Sequence, residues 1–462
     1  MRLPRELVAG ALIAIAAAAG IAFDAASEFT APVRSAPSPT RFVQRASFCP
    51  PPAERSGGRA RIAIAVAGEE SIPVDVEPGA AVEVSPDRLL VSPVIERSAS
   101  SVTGLGAQAA ASASASLEPP TQGAAAATCA SAASDRWYLP AGTSALGSDE
   151  RLLLFNPFLD EAVVRVVFFT PSGTSSKANL ADVAVPAGRS VEVRVNEFVL
   201  REPRLGAAVL VTRGRVVAWR ELLPATRKRP GVEMTLGARA TAPVWYFPEG
   251  GVGKGYDETI SLLNPSDDEA VVTITLASAD KVVQPPQLVE LAVAPHTIRT
   301  VSLAEVASQP TEPQGVSAWV TATNGVPVVA ERTVRYDGKQ RTGVSSEVGA
   351  SEAARAWLLG PASLDPTRDA VAVLNPGSSD ATLSLELIRA GGEPLMPARL
   401  RSIAVPAGLR AAVRIERWTR GRDAVAVVLS SSEPVIAERV AYSAADSDAA
   451  AVMGSPVTPT TE

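Results

Sequence analysis

The chain has 462 residues, 46% of them hydrophobic, which is enough for several buried cores and excludes a wholly disordered protein. Its 43 basic and 49 acidic residues leave a formal charge of −6, so nothing electrostatic points to a nucleic acid as partner. A single histidine, His296, and two cysteines, Cys49 and Cys129, exclude His-rich and Cys-rich metal sites, and no cofactor is expected.

The first predicted element is an export segment over residues 1–27. Arg2 and Arg5 precede an uncharged run from Leu7 to Phe23, so the arginines stay in the cytoplasm and the rest of the chain crosses the membrane. The run is at the short end of a bilayer span, and a membrane anchor is favoured over cleavage after Ser27, which would release a secreted form. Residues 28–44, rich in Pro, Ser and Arg, read as a spacer. The localisation expected is extracytoplasmic, held to the membrane by the N-terminus.

Beyond the spacer the chain repeats. Trp137-Tyr138, Trp245-Tyr246 and Trp357-Leu358 open three segments at intervals of 108 and 112 residues, and Asn156-Pro157, Asn264-Pro265 and Asn375-Pro376 follow in the same register. Each segment then has a Val-Pro-Ala-Gly-like turn, at 185–188, 293–296 and 405–408, with His296 where its sisters carry Gly188 and Gly408. Near the end stand Trp219-Arg220, Glu331-Arg332 and Glu438-Arg439. A worn fourth copy precedes these three, because Val76–Val84 matches Val185–Val193 at the same period. The boundaries read as 45–133, 134–241, 242–353 and 354–456, with a tail over 457–462.

In this alignment Cys129 falls at the end of the first unit, where Gly237 and Gly349 stand in two others, and Cys49 falls in its opening strand. Two cysteines in one exported chain most simply pair, so a Cys49–Cys129 staple is expected. Residues 98–134 are almost all Ser, Ala, Gly and Thr, and a flexible excursion is expected there.

Within a unit, short β-branched or alternating runs such as Leu152–Phe155, Ala162–Phe169, Ser190–Val195, Ala207–Val211 and Val216–Trp219 read as strands, with turn residues every 8 to 12 positions or so. The stretches after Pro224 and Asp337 carry apolar positions of their own and are expected to add a final strand. The fold class is all-β: tandem immunoglobulin-like sandwiches after an N-terminal apolar helix, with closed barrels of similar length still open.

At these repeated residues the chain resembles a family of uncharacterised, Ala/Arg-rich exported proteins of actinobacteria built on a domain of unknown function. Its repeat is also similar to the Trp-Tyr, Asn-Pro and Pro-Val-Val-Ala-Glu-Arg modules of other bacterial secreted proteins. The resemblance covers roughly residues 45–456 and implies an envelope location and a β-sandwich array, with no catalytic activity.

The candidate sites are weighed against plain structural roles. Trp137, Trp245 and Trp357 could stack on sugar rings, but a tryptophan fixed in every sandwich is better read as core. Tyr138 and Tyr246 alternate with them and should face outward. Adjacent strand residues such as Glu331 and Arg332 point to opposite sides, and Trp219 replaces the glutamate in one copy, so these pairs read as structural ions and not as catalysts. Asn156, Asn264 and Asn375 read as turn caps. Residues 250–255 lack the phosphate-loop spacing, and no helix follows. They read instead as a mobile polar loop, and Tyr246, Lys254, Tyr256, Asp257 and Glu258 form the candidate ligand-contact set. Asp257, Glu258, Asp267 and Asp268 lack calcium-loop spacing and read as solvated carboxylates. His296, at a glycine-like turn and with no serine-hydrolase elbow in the chain, reads as a solvated side chain.

The function expected is a non-catalytic, envelope-exposed spacer or protein-interaction scaffold. The alternative is a cell-wall glycan-binding array that uses Tyr246 and the loop. The partners expected are the membrane and an envelope protein or glycan.

Overall fold

The structure is a computed structural model, and it describes residues 45–50, 59–66, 72–77, 81–84, 89–91, 100–105, 109–117, 123–224, 231–253, 255–303, 315–338, 341–363, 365–389, 393–421, 425–445 and 447–457. The predicted anchor and spacer, and Lys254 of the candidate loop, lie outside the described residues. Among those described, no helix is long and apolar enough to cross a membrane.

The chain is all-β and built as sandwiches of antiparallel sheets. In the second unit one sheet runs Ser190–Arg194, Ser148–Phe155, Val217–Pro224, Glu233–Leu236. The other runs Gly173–Ser176, Ala162–Thr170, Gly206–Arg213, Arg136–Leu139. Strand Ala162–Thr170 shows why the sequence chooses this layer. Ala162, Val164, Val166 and Phe168 are buried in the core while Arg165 between them is exposed, the period-2 pattern of a sheet with one covered face. The third unit repeats the plan. In the fourth, the two strands that Gly214 separates in the second unit are fused into one, Val425–Ser443, which pairs in both sheets. The final strands expected after Pro224 and Asp337 are present as Glu233–Leu236 and Arg341–Val348.

The repeated residues are structural. Trp137, Trp245 and Trp357 are buried, and their indole N–H groups donate to the Val216, Val328 and Val435 carbonyls at 2.7–2.8 Å. The glycine eight residues before Trp245, Gly237, is tightly enclosed: a Cβ there would sit 3.3 Å from Trp137, closer than an ordinary contact. In the first unit Ser47 stands in place of the tryptophan, and Cys129 occupies the glycine position and is bonded to Cys49. Asn156, Asn264 and Asn375 are fully buried. Each caps its own turn through its side-chain oxygen and also donates to a carbonyl of the Val-Pro-Ala-Gly-like turn, at 2.9–3.0 Å. His296 shares the left-handed backbone of Gly188 and Gly408, with φ of 54°, and its exposed ring meets Asp267.

One expectation is corrected here. Most of the described residues of the 98–134 stretch lie in strands rather than in a flexible excursion: Ser100–Leu105, Ala109–Leu117 and Gly123–Thr128. Alanine and serine are used because other units approach closely. Ala125 and Ala127 pack on Leu223, Val232 and Met234 of the second unit, and Ala126 packs on Ala362, Ala441 and Ala450 of the fourth.

Those contacts reveal the arrangement of the units. Phe48, Ala130 and Ala133 join the second unit's core, Tyr138, Phe169 and Ala208 join the third's, and Tyr246 and Ala350 join the fourth's. Ala63 of the first unit then packs against Ala356, Leu358 and Ala426 of the fourth. The four units close into a ring, with the final strand of each packed against the final strands of its two neighbours.

Candidate functional site

Several buried charged residues lie at the junctions of this ring. Arg220 of the second unit donates from both terminal nitrogens to Glu331 of the third, at 2.9 and 2.6 Å. Arg332 of the third donates in the same way to Glu438 of the fourth, at 2.8 and 2.6 Å. All four side chains are fully buried. Each glutamate also accepts a backbone N–H from the preceding unit, from Ala141 at 2.9 Å and from Glu249 at 3.1 Å. The arginine of one unit therefore seeks the glutamate of the next. Adjacent strand residues face opposite ways, and that geometry lets one Glu-Arg pair look backward and forward around the ring.

The exceptions follow the same rule. The first unit has Ser112-Ala113 at these positions, so it offers no arginine to its successor, and the second unit has Trp219 where the third and fourth have glutamate. For Arg439, the last arginine, the next unit around the ring has Ser112 at the glutamate position. Arg439 pairs within its own unit, with Asp369 at 2.9 and 2.6 Å.

Glu150 and Glu258 occupy the positions equivalent to Asp369, six residues before the conserved-register asparagines of this chain. Both are longer than Asp369, and space is made for them by Gly142 and Gly250, whose places in the fourth unit are taken by Ala362. A Cβ on Gly142 would come within 2.6 Å of the Glu150 carboxylate and 2.9 Å of the Leu205 carbonyl. Gly142→Ala should therefore lower stability by about 1–3 kcal/mol, read from the urea midpoint, whereas an unchanged midpoint would mean that the site is looser than described.

A second junction lies at the hub. Gly123, Gly231 and Gly343 hold equivalent places at or near the start of the final strands of the first three units, and Asp448 stands at that place in the fourth. Its carboxylate fills the space against Gly123 and Gly343. It accepts four equivalent amides, Ala124 and Val232 on one oxygen at 3.0 and 2.9 Å, Val344 and Ala449 on the other at 2.9 and 2.8 Å. One side chain thus ties all four units together. Sequence reasoning missed it, although the spacing of the three glycines and the aspartate carries the signal.

Burial pushes Glu150 and Glu258 up to about 8, against the pull of Arg220 and Arg332 and of the Thr143 and Gly251 amides. Burial does the same to Asp448, also up to about 8, against its four amides. In the unfolded chain such carboxyls ionise near pH 4. Between roughly pH 4 and 8 the folded chain thus keeps protons that the unfolded chain has released, so stability falls as pH rises through that window and levels off above it. Urea unfolding followed by tryptophan fluorescence should give a lower midpoint at pH 8 than at pH 6, and a higher one would contradict this assignment. For Arg220 and Arg332 burial works against the charge, but their carboxylate neighbours outweigh it and hold both guanidiniums charged.

The ligand-contact set read from the sequence is not brought together as an open surface. Glu258 is buried in the ionic cluster and accepts the Gly251 amide at 2.6 Å. Tyr256 packs edge-on to Tyr336, and the Gly251 backbone lies against its ring. Tyr246 is half-buried on the fourth unit's core, and Tyr138 is buried on the third's, so neither is the exposed residue expected. Asp257 is exposed. The stretch 248–251 is not a mobile loop: Arg410 of the next unit reaches the Pro248 carbonyl, and the Gly250 carbonyl accepts the Val316 amide at 2.9 Å. Its glycines serve close approach rather than mobility. Glu258 is accordingly no solvated carboxylate, and it lies at the other end of its strand from Asp267 and Asp268. Among the described residues no group of three metal-ligating side chains converges.

No curated protein matches the chain. Among solved structures it is similar to the crystal structure of Thermotoga maritima 1070, with 21% identity over 24% of this chain and 94% of that one and a TM-score of 0.20. The model of a family of unknown function matches residues 92–242 and again residues 238–459. These two matches span most of the units described above, and the chain belongs to that family of unknown function, DUF5719.

Proposed function

We propose that the protein is a non-catalytic scaffold on the outer side of the cell membrane, a rigid ring that presents its rim to an envelope protein. The observation that carries this reading is the use of the buried charged side chains. Arg220, Glu331, Arg332, Glu438 and Asp448 join units to one another. The Cys49–Cys129 disulfide supports an oxidising compartment. The uncharged run Leu7–Phe23 supports attachment to the membrane.

The test is co-sedimentation of the purified full chain with detergent-extracted envelope, before and after proteolytic stripping of that envelope. Binding should be lost on stripping. Binding that survives would favour cell-wall glycan as the partner and overturn the protein-scaffold reading.

A further inference from the structure

The second unit differs from its sisters at one end. The turn that follows each buried asparagine is held by the same hydrogen bonds in all three units, yet it carries Ser266-Asp267 in the third, Gly377-Ser378 in the fourth and Phe158-Leu159 in the second. Leu159 is 96% exposed and Phe158 45%. Their backbone is fixed: the Phe158 amide donates to Asn156 at 3.0 Å and its carbonyl accepts the Gly188 amide at 3.1 Å. The staple works equally well with polar residues, so it does not explain two adjacent apolar side chains held out into solvent.

Two further observations say what covers them. Around the tip Arg189 and Arg215 are exposed, as are Arg136 and Arg213, which pair with Asp135 and Glu161, and Asp160 adds one more acid, whereas the same end of the third unit carries Asp267, Asp268 and Glu269. The described chain also begins here. Phe48 packs on Phe155 with ring centroids 6.3 Å apart, and Ala130, paired with Phe48, leads into Ser134, which bonds Val216 beside the Gly214-Arg215 turn. The 44 residues that precede Arg45 contain the uncharged run Leu7–Phe23.

From this juxtaposition of Phe158-Leu159, the flanking arginines and the start of the described chain we infer that this end of the second unit rests on an anionic lipid bilayer. The apolar pair enters the interfacial layer and the arginines meet the headgroups. The inference rests on the membrane-attachment reading above and adds to it a defined contact face.

The experiment uses the full chain reconstituted with vesicles containing phosphatidylglycerol, or with phosphatidylcholine vesicles. An environment-sensitive NBD fluorophore is placed through Leu159→Cys, or through Ser378→Cys in the matching turn of the fourth unit. The label at 159 should brighten at least about twofold and shift to the blue in the anionic vesicles, less so at high salt, and the label at 378 should not respond. Arg189→Gln with Arg215→Gln should reduce the response at 159. A chain that floats with the vesicles while the label at 159 stays aqueous overturns this inference and leaves the anchor standing. A chain that does not float overturns both. A blue shift before lipid is added would mark self-association at the tip and also overturns the inference.

Discussion

Replacing Arg332 with alanine should remove about 3–5 kcal/mol of stability, because Glu438 would be left charged and unpaired in a fully buried junction. The loss includes more than the ion pair. Arg332 also holds the Glu249 carbonyl, and Glu438 holds the Glu249 amide, so the stretch that wedges the third unit against the fourth loses its partners together. The signature of the relay is the double variant. Arg332→Met with Glu438→Leu removes both charges at similar volume and should recover a large part of the loss, since the desolvation cost disappears with them. Urea unfolding of the natural chain, Arg332→Met, Glu438→Leu and the double variant measures this. If the double variant were as unstable as the sum of the two single ones, the residues would not act as a pair.

The second large effect is expected from the disulfide. It closes a sequence separation of 80 residues, for which the chain-entropy account gives about 4 kcal/mol. The first unit depends on it more than its size suggests. It has no tryptophan at the core position, and its strands Ala109–Leu117 and Gly123–Thr128 are mostly alanine and serine, which bury little apolar area each. Cys49→Ser with Cys129→Ser should lower the unfolding midpoint and detach the first unit before the others. Dithiothreitol should reproduce the change in the natural chain and add nothing to the variant. Equal midpoints with and without reductant in the natural chain would show that the staple contributes nothing.

Much of the fold was legible because each unit writes the same constraints into the same places. The alternating run Ala162–Phe169 fixes a strand, the Trp137 and Gly237 positions fix its packing, and the register together with the count of two cysteines brings Cys49 to Cys129. The junctions were less legible. The loss of glutamate at Trp219 shows within one copy that the residue is dispensable, but its reason lies in the preceding unit, where Ala113 offers no arginine to pair with. Tyr138 and Tyr246 alternate with core tryptophans and so read as exposed. Alternation distinguishes two faces of a strand and does not say whether a neighbouring unit covers the second. Residues 250–255 read as mobile because glycine serves both flexibility and close approach, and at Gly250 and Gly251 only the Val316 and Glu258 contacts separate the two. The Ala-Ser stretch of the first unit misleads for a related reason, since small side chains suit a crowded hub as well as a loose segment.

Closure of the ring at Asp448 is the central structural claim, and amide hydrogen exchange tests it most directly. In the natural chain the amides of Ala124, Val232 and Val344, from three different units, should be strongly protected. In Asp448→Ala all three should lose protection together while the outer strand Ala162–Thr170 keeps its own. Fast exchange at these three amides in the natural chain, or loss confined to Ala449 in the variant, would contradict a hub in which one carboxylate joins four units.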